Sequence, residues 1–251
     1  MTVLVITDTE TTGLDNAKAD FVQLASVIWW PYTNEDTYAT FNELAQPHCA
    51  IHPEAASVHG YTAEKLTRLN ARDSAEVIRE WASDIKEAVA GDETILVFHN
   101  RTYDIGILAQ HIPGLLKKRW ICTYIACSRL FPYEPTHKLE ALYDAVAEKW
   151  PFELKAHDAL SDCMMAFALL RRVMKERPSM SVADLADWCA EPEFREIFPI
   201  GKQYRGWATE DVPDSFLQWC LTKEDTMMHD IIFTARTELA RRREQGIKVE
   251  R

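Results

Sequence analysis

The feature that most constrains this chain lies in its first ten residues. Four apolar residues, Val3-Leu4-Val5-Ile6, lead through Thr7 into Asp8-Thr9-Glu10 and then Thr11-Thr12-Gly13. An apolar, β-branched run reads as a strand, and the polar Gly-containing stretch after it as the strand end and turn. Side chains two apart on a strand share a face, so Asp8 and Glu10 project side by side. Two carboxylates converging in this way form a hard-oxygen site suited to Mg²⁺ or Mn²⁺. The chain carries 39 Asp and Glu residues, so a lone D-x-E pair arises by chance and, taken alone, reads more simply as a solvated strand terminus.

Two further positions give the pair its meaning. Asp104 follows a short apolar strand, Thr94–Phe98, and ligands of α/β sheets gather at strand ends. A helix-start Asp stabilised by the helix dipole is an equal reading of that residue on its own. His157 and Asp162 lie five apart at the start of an amphipathic helix, Ala159–Lys175, with His157 expected in the preceding loop and Asp162 in the first turns. A histidine beside a carboxylate site can take a proton from the attacking water at neutral pH. His99 and Asp104 share the same spacing, but His99 directly follows a buried strand and is expected to be structural.

The rest of the pattern places these residues. Phe21–Trp30 and Thr37–Leu44 read as second and third strands, the third antiparallel to the second. Short helices are expected at Glu54–His59 and Thr62–Arg68. Apolar residues at Val77, Ile78, Trp81, Ile85 and Val89 give Ser74–Ala90 helical periodicity, with Ser74 as its cap. Thr102–Gln110 and Lys138–Lys149 are further helices, and Trp120–Thr123 a short strand. Strands first, then strands alternating with helices, predict an α/β mixed sheet flanked by helices. Pro178-Ser179 reads as a boundary, giving domains at 1–177 and 178–251. The second contains helices at Val182–Ala190 and Ile231–Gln245 around the Gly- and Pro-punctuated stretch Phe198–Leu221. Trp29-Trp30 and Met164-Met165 read as core. Arg241–Arg243 reads either as a phosphate track or as a solvated helix end. Lys202 and Arg205 suit a phosphate-contacting turn or a purely structural one.

Composition limits the function classes. The net charge of −11 disfavours a broad basic nucleic-acid surface, although carboxylate-held metal ions reverse the sign locally and bind phosphate through the metal. No segment approaches the ~18 apolar residues of a membrane span, and the first strand does not resemble a secretory signal. The six cysteines form no C-x-x-C pair, which argues against a zinc or redox motif. A cytoplasmic protein with reduced thiols is expected.

Asp8-Thr9-Glu10-Thr11-Thr12-Gly13-Leu14 resembles the first motif of the DEDDh 3′–5′ exonucleases. His99-Asn100-Arg101-Thr102-Tyr103-Asp104 resembles their second motif, with Tyr103 where Phe is common, and His157-Asp158-Ala159-Leu160-Ser161-Asp162 their third. Ser57-Val58-His59-Gly60-Tyr61-Thr62 is similar to the family segment that contacts the terminal nucleotide. The resemblance covers roughly residues 1–176. Trp120-Ile121-Cys122-Thr123, Arg129-Leu130 and Gly201-Lys202-Gln203-Tyr204-Arg205-Gly206, followed by Phe216-Leu217-Gln218-Trp219-Cys220-Leu221, also resemble the exodeoxyribonuclease X family. Ile200 stands where that family has Phe, and Gln203 is an insertion.

The resemblance implies an RNase H-like fold and hydrolysis at DNA 3′ ends, single-stranded ones above all, with two Mg²⁺ or Mn²⁺ ions. It implies Asp8, Glu10, Asp104 and Asp162 as metal ligands and His157 as general base. Thr9, Thr11 and His59 would position the terminal nucleotide, and Thr12 and Leu14 would wedge near its base. Asn100 would reach the substrate backbone or, equally, tie a strand end to a helix. The rival expectations are an exoribonuclease, a proofreading subunit joined to a polymerase or repair partner through the C-terminal segment, and an inactive DNA-end adaptor.

Overall fold

The computed structural model describes residues 2–15, 17–32, 37–224 and 227–249. Its centre is β1 (Thr2–Thr11), paired antiparallel with β2 (Phe21–Trp29), which pairs antiparallel with β3 (Tyr38–Gln46). Two helices, α1 (Pro53–His59) and α2 (Ala63–Arg68), and the two-residue edge strand β4 (Arg72–Asp73) follow. Helix α3 (Ser74–Val89) then crosses to β5 (Glu93–Phe98), parallel to β1. Helix α4 (Arg101–His111) leads to β6 (Trp120–Cys122), and the sheet order is β4-β3-β2-β1-β5-β6. The mixed sheet expected from the order of elements is therefore present.

The chain continues through α5 (Thr123–Leu130), α6 (Leu139–Val146), α7 (Ala159–Glu176), α8 (Val182–Ala190), α9 (Asp214–Leu221) and α10 (His229–Gln245). Strands β1 and β2 are covered on both faces, which explains why Val3, Leu4, Val5 and Ile6 form a continuous apolar run and all four are fully buried. Leu4, Ile6, Ala25 and Val27 meet α5, α7 and α8 on one face, while Val3, Val5, Leu24 and Ile28 meet α3 and α4 on the other. Trp29 packs against Phe167 at 4.8 Å and Met164-Met165 is buried, as the core reading of both pairs has it. Buried hydroxyls are satisfied in a chain: the Trp81 indole N–H donates to Ser26 (2.8 Å), which shares a hydrogen bond with Thr7 (2.8 Å).

Helix ends depart from the sequence reading in instructive ways. The cap of α3 is Asp73, whose carboxylate accepts from Ala75 N–H at 2.9 Å. Ser74 begins the helix and turns its hydroxyl to Asp20 instead (2.7 Å). The helix α5 was not visible in the sequence, because no capping side chain precedes Thr123 and β-branched Thr123 and Ile125 favour strand.

Beyond α8 a second, smaller core forms from Phe198, Val212, Leu217, Cys220, Ile231, Ala235 and Leu239. Its junction with the main body is ionic and buried. Arg129 of α5 makes a two-pronged pair with Asp230 of α10 (2.8 and 2.5 Å) and also donates to the Trp188 and Glu191 carbonyls. Arg195 lies 3.6 Å from the same carboxylate and donates to the Ser128 carbonyl. The Arg241–Arg243 run is not wholly solvated. Arg242 points inward, bonded to Glu238, Asp214 and the carbonyls of Val212, Thr209 and Glu210. In the glycine turn, Gly201, at φ +86°, has the Phe216 ring where a Cβ would sit, and Arg205 donates to the Pro135 carbonyl. Among the described residues no helix is long and apolar enough to cross a membrane.

Candidate active site

The site lies at the end of β1, on the face of the sheet that carries α7. Glu10 stands opposite Gln23 of β2 in the antiparallel register. Gln23 holds the first turn of α7: its amide donates to Asp158 (3.1 Å) and its carbonyl accepts from Ala159 N–H (3.2 Å). Asp158 also caps the helix by accepting from Ser161 N–H (3.1 Å). This clamp brings Asp162, one turn in, to the carboxylates of β1. Candidate ligand atoms of Glu10, His157 and Asp162 lie within 4.8 Å of one another. His157 lies just before the helix in a left-handed conformation (φ +58°), as expected for a residue outside it. Its Nε2 is 3.7 Å from Glu140 of α6.

Asp104 is buried in the first turn of α4, where its carboxylate accepts from both the backbone N–H (3.2 Å) and the hydroxyl (2.8 Å) of Thr9. Strand β1 thus fixes Asp104 through Thr9 while presenting Asp8 and Glu10 beside it. His99 is structural: its Nε2 donates to the His137 carbonyl (3.0 Å) and its Nδ1 is 2.9 Å from the Thr123 hydroxyl. Burial draws the His99 pKa down to about 4, which keeps the ring neutral.

The electrostatics are those of crowded acids. Burial, then the Asp104, Asp162, Glu10 and Asp158 charges, push Asp8 well above the usual carboxylate range. Burial, then Asp162, Asp104 and Asp158, push Glu10 up to about 8. Asp162 is pushed up to about 7 by burial, Glu140 and Asp158, with the His157 backbone N–H opposing the rise. Burial raises Asp104 to about 7 despite the Thr9 hydrogen bonds. Among the described residues no Lys or Arg pairs with any of these four acids. Buried Asp162 Oδ1 has no hydrogen-bond partner at all. An unpartnered buried oxygen among mutually repelling carboxylates is what a divalent cation would satisfy.

A groove of about 550 Å³ runs beside Glu10, lined by Thr9, Thr11, Leu14, Val58, His59 and Tyr103, among others. Leu14 is 91% exposed at its rim. The His59 Nε2–H donates to the Thr11 carbonyl (3.1 Å) and its Nδ1 accepts from Tyr61 N–H (3.0 Å), so both ring nitrogens are engaged and the tautomer is set. The Tyr103 hydroxyl bridges Thr11 and the Gly13 carbonyl. At Gly13 the exposed His52 ring packs close to the backbone, 2.7 Å from where a Cβ would sit. Thr12 lies behind the groove, fully buried, its hydroxyl accepting from Asp20 N–H at 3.0 Å. Asn100, at φ +68°, makes no side-chain cap and lines a different groove, beside β6.

Three residues at the site escaped the sequence reading. Asp158 and Glu140 add charge, and Asp20 holds the turn. The Asp20 carboxylate accepts from His48 N–H, Ser74, Phe21 N–H and His111. Burial alone would raise its pKa, but these hydrogen bonds outweigh it and hold it at about 2. Asp158 sat in view inside the third motif, whereas Glu140 and Asp20 carry no local signal.

Residues 5–186 match the profile of the RNase_T family, described as Exonuclease. The chain belongs to that family. It is a 3′–5′ exonuclease of the DEDDh type on an RNase H-like fold. The exonuclease resembles the structure of Exonuclease X in complex with 5′ overhanging duplex DNA, at 26% identity and a TM-score of 0.55, over 74% of this chain and 98% of that one. E. coli Exonuclease I with a dA16 oligonucleotide is 18% identical, with a TM-score of 0.56, over 76% of this chain and 43% of that one. The exonuclease therefore spans less than half of Exonuclease I. The nuclease domain of 3′hExo, a DEDDh family member bound to rAMP, is 16% identical, with a TM-score of 0.54, over 69% of this chain and 92% of that one. The last two likenesses establish the fold alone. No curated protein gives a significant match. The family is metal-dependent.

Proposed function

We propose that this exonuclease removes nucleotides from DNA 3′ ends with two divalent cations, Mg²⁺ or Mn²⁺, and a histidine general base. The observation that carries the reading is the meeting of Glu10, His157 and Asp162 within 4.8 Å, beside half-buried Asp8 and buried Asp104. Asp8, Glu10, Asp104 and Asp162 would hold the ions, which supply Lewis acidity toward the phosphate and the departing 3′ oxygen. His157 is half-exposed in its loop, with an imidazole free to take the proton of the attacking water. Glu140, 3.7 Å from His157 Nε2, would help orient the ring. Thr9 orients Asp104, and the Tyr103–Thr11–Gly13 contacts hold the groove edge against which the terminal nucleotide would lie. His59 would offer it a ring face, Leu14 would wedge at its base, and buried Thr12 would act only by supporting the turn. Preference for DNA is supported by the likeness to Exonuclease X, whose structure contains it. We place the division of labour between the body around the sheet and the smaller C-terminal core.

Matched 5′-labelled DNA and RNA oligonucleotides test the substrate choice. Faster Mg²⁺-dependent shortening of DNA supports the proposal, and faster shortening of RNA overturns it in favour of an exoribonuclease.

A further inference from the structure

Between the main body and the C-terminal core lies a second groove, of about 670 Å³, that the reaction at Asp8 and Glu10 does not use. One wall is the N-terminal end of α4 with Trp120 of β6, and the other is Trp219 of α9 with Lys223. Arg101 lies with its guanidinium 4.5 Å from the Trp120 ring centroid. Its buried Nε has no hydrogen-bond partner, and among the described residues no carboxylate pairs with it. Every other buried guanidinium at this junction is paired: Arg129 and Arg195 with Asp230. The groove acid Glu224 is turned to Arg236 at 2.8 Å, so it does not neutralise Arg101. Trp219 is stacked on Phe216 on one side (5.3 Å) and is 45% exposed. A cation held on an aromatic face, opposite an open indole, matches the two recurring parts of a single-strand site, a phosphate contact and a base-stacking platform.

The groove also shares a helix with the active site. Arg101 begins the helix whose first turn carries Asp104, three residues on and about 4.5 Å along the axis. In a chain with a net charge of −11, a cationic groove at that position is where a polyanion can stay close to the acids.

We infer that this groove holds the single-stranded part of the substrate adjoining its reactive end, with Trp219 stacking on a base and Arg101 contacting a phosphate. The inference rests on the DNA reading above and gives the C-terminal unit a role in substrate grip. Oligonucleotides too short to enter the groove then bind through the active site alone, and longer ones gain affinity from both bodies.

The test is fluorescence anisotropy in EDTA, where binding is read without cleavage, using a labelled trinucleotide and a labelled dodecanucleotide. Wild-type protein should prefer the longer probe. Trp219→Ala should shrink that preference by about tenfold, the scale of one lost base–aromatic stack. Arg101→Met should make the fall of log affinity with log salt shallower by about 0.7, one phosphate contact on a single strand. A length preference unchanged in Trp219→Ala, or absent in the wild type, overturns the inference. Failure of the exonuclease reading would appear separately, as wild-type protein that leaves the same dodecanucleotide uncut when Mg²⁺ replaces EDTA.

Discussion

Replacing Glu10 with glutamine should make the metal-free protein more stable at alkaline pH while removing its activity. The Glu10 carboxyl is pushed from 4.5 up to about 8 by burial and then by Asp162, Asp104 and Asp158. The folded state therefore keeps a proton that the unfolded chain has released. The stability linked to that proton is complete below about pH 4.5 and is lost as pH rises through about 8. At about 1.36 kcal/mol per pH unit, the shift corresponds to a ceiling of about 5 kcal/mol. Because Asp8, Asp104 and Asp162 exchange protons with Glu10, we expect glutamine to recover only part of it, on the order of 2 kcal/mol near pH 8. For a chain of this size that is about 4–8 °C in Tm. Thermal unfolding in EDTA at several pH values between about 5 and 8 measures it. Wild-type Tm should fall across the range, and the variant's should fall less. Mg²⁺ should then raise the wild-type Tm by mass action and raise the variant's less. Parallel profiles, or a variant less stable near pH 8, would refute the reasoning.

His157→Ala should lower the rate by about 10²–10⁴, as for a lost general base, with the Mg²⁺-dependent rise in Tm retained. Loss of that rise would make His157 a metal ligand, a role its closeness to Glu10 and Asp162 also allows. Asp230→Asn should cost about 3–5 kcal/mol, because buried Arg129 would keep only the more distant, half-exposed Glu193 (3.7 Å) as a carboxylate partner; denaturant unfolding and faster proteolytic release of the C-terminal unit report it. Asp20→Asn should cost about 2 kcal/mol at neutral pH, from the fall of its pKa from 3.8 to about 2. The sign is opposite to that of Glu10: this stability is present above about pH 3.8 and is lost as pH falls through about 2, so the unfolding curves of wild type and variant should converge in acid.

What the sequence revealed is what local periodicity encodes. Strand alternation placed Asp8 and Glu10 on one face, and the amphipathic run that starts at Ala159 placed His157 outside α7 and Asp162 within it. The long-range clamps were not legible. Gln23 and Asp158 are 135 residues apart, and nothing near either indicates that one holds the other. The four acceptances by Asp20 join three separate elements in the same way. Ser74 reads as a cap because a serine and an aspartate at a helix start look alike in sequence, and only Asp20 across the structure decides which of them turns inward. Arg242 reads as a solvated cation from its neighbours in sequence, whereas Glu238 one turn earlier and three carbonyls from the segment before α9 draw it into the core. The groove that Trp219 and Arg101 line from opposite sides depends on how the two cores pack, which no pattern within either one specifies.

The central claim is that the carboxylates at the end of β1 hold the divalent cations that make hydrolysis at a 3′ end possible. The most direct measurement follows a 5′-labelled DNA oligonucleotide with wild-type protein and with Asp8→Ala, each in Mg²⁺ and in EDTA. The account predicts a ladder that shortens from the 3′ end only for wild-type protein in Mg²⁺, with the variant folded and inactive. A ladder that persists in EDTA, or an Asp8→Ala variant as active as the wild type, would contradict it.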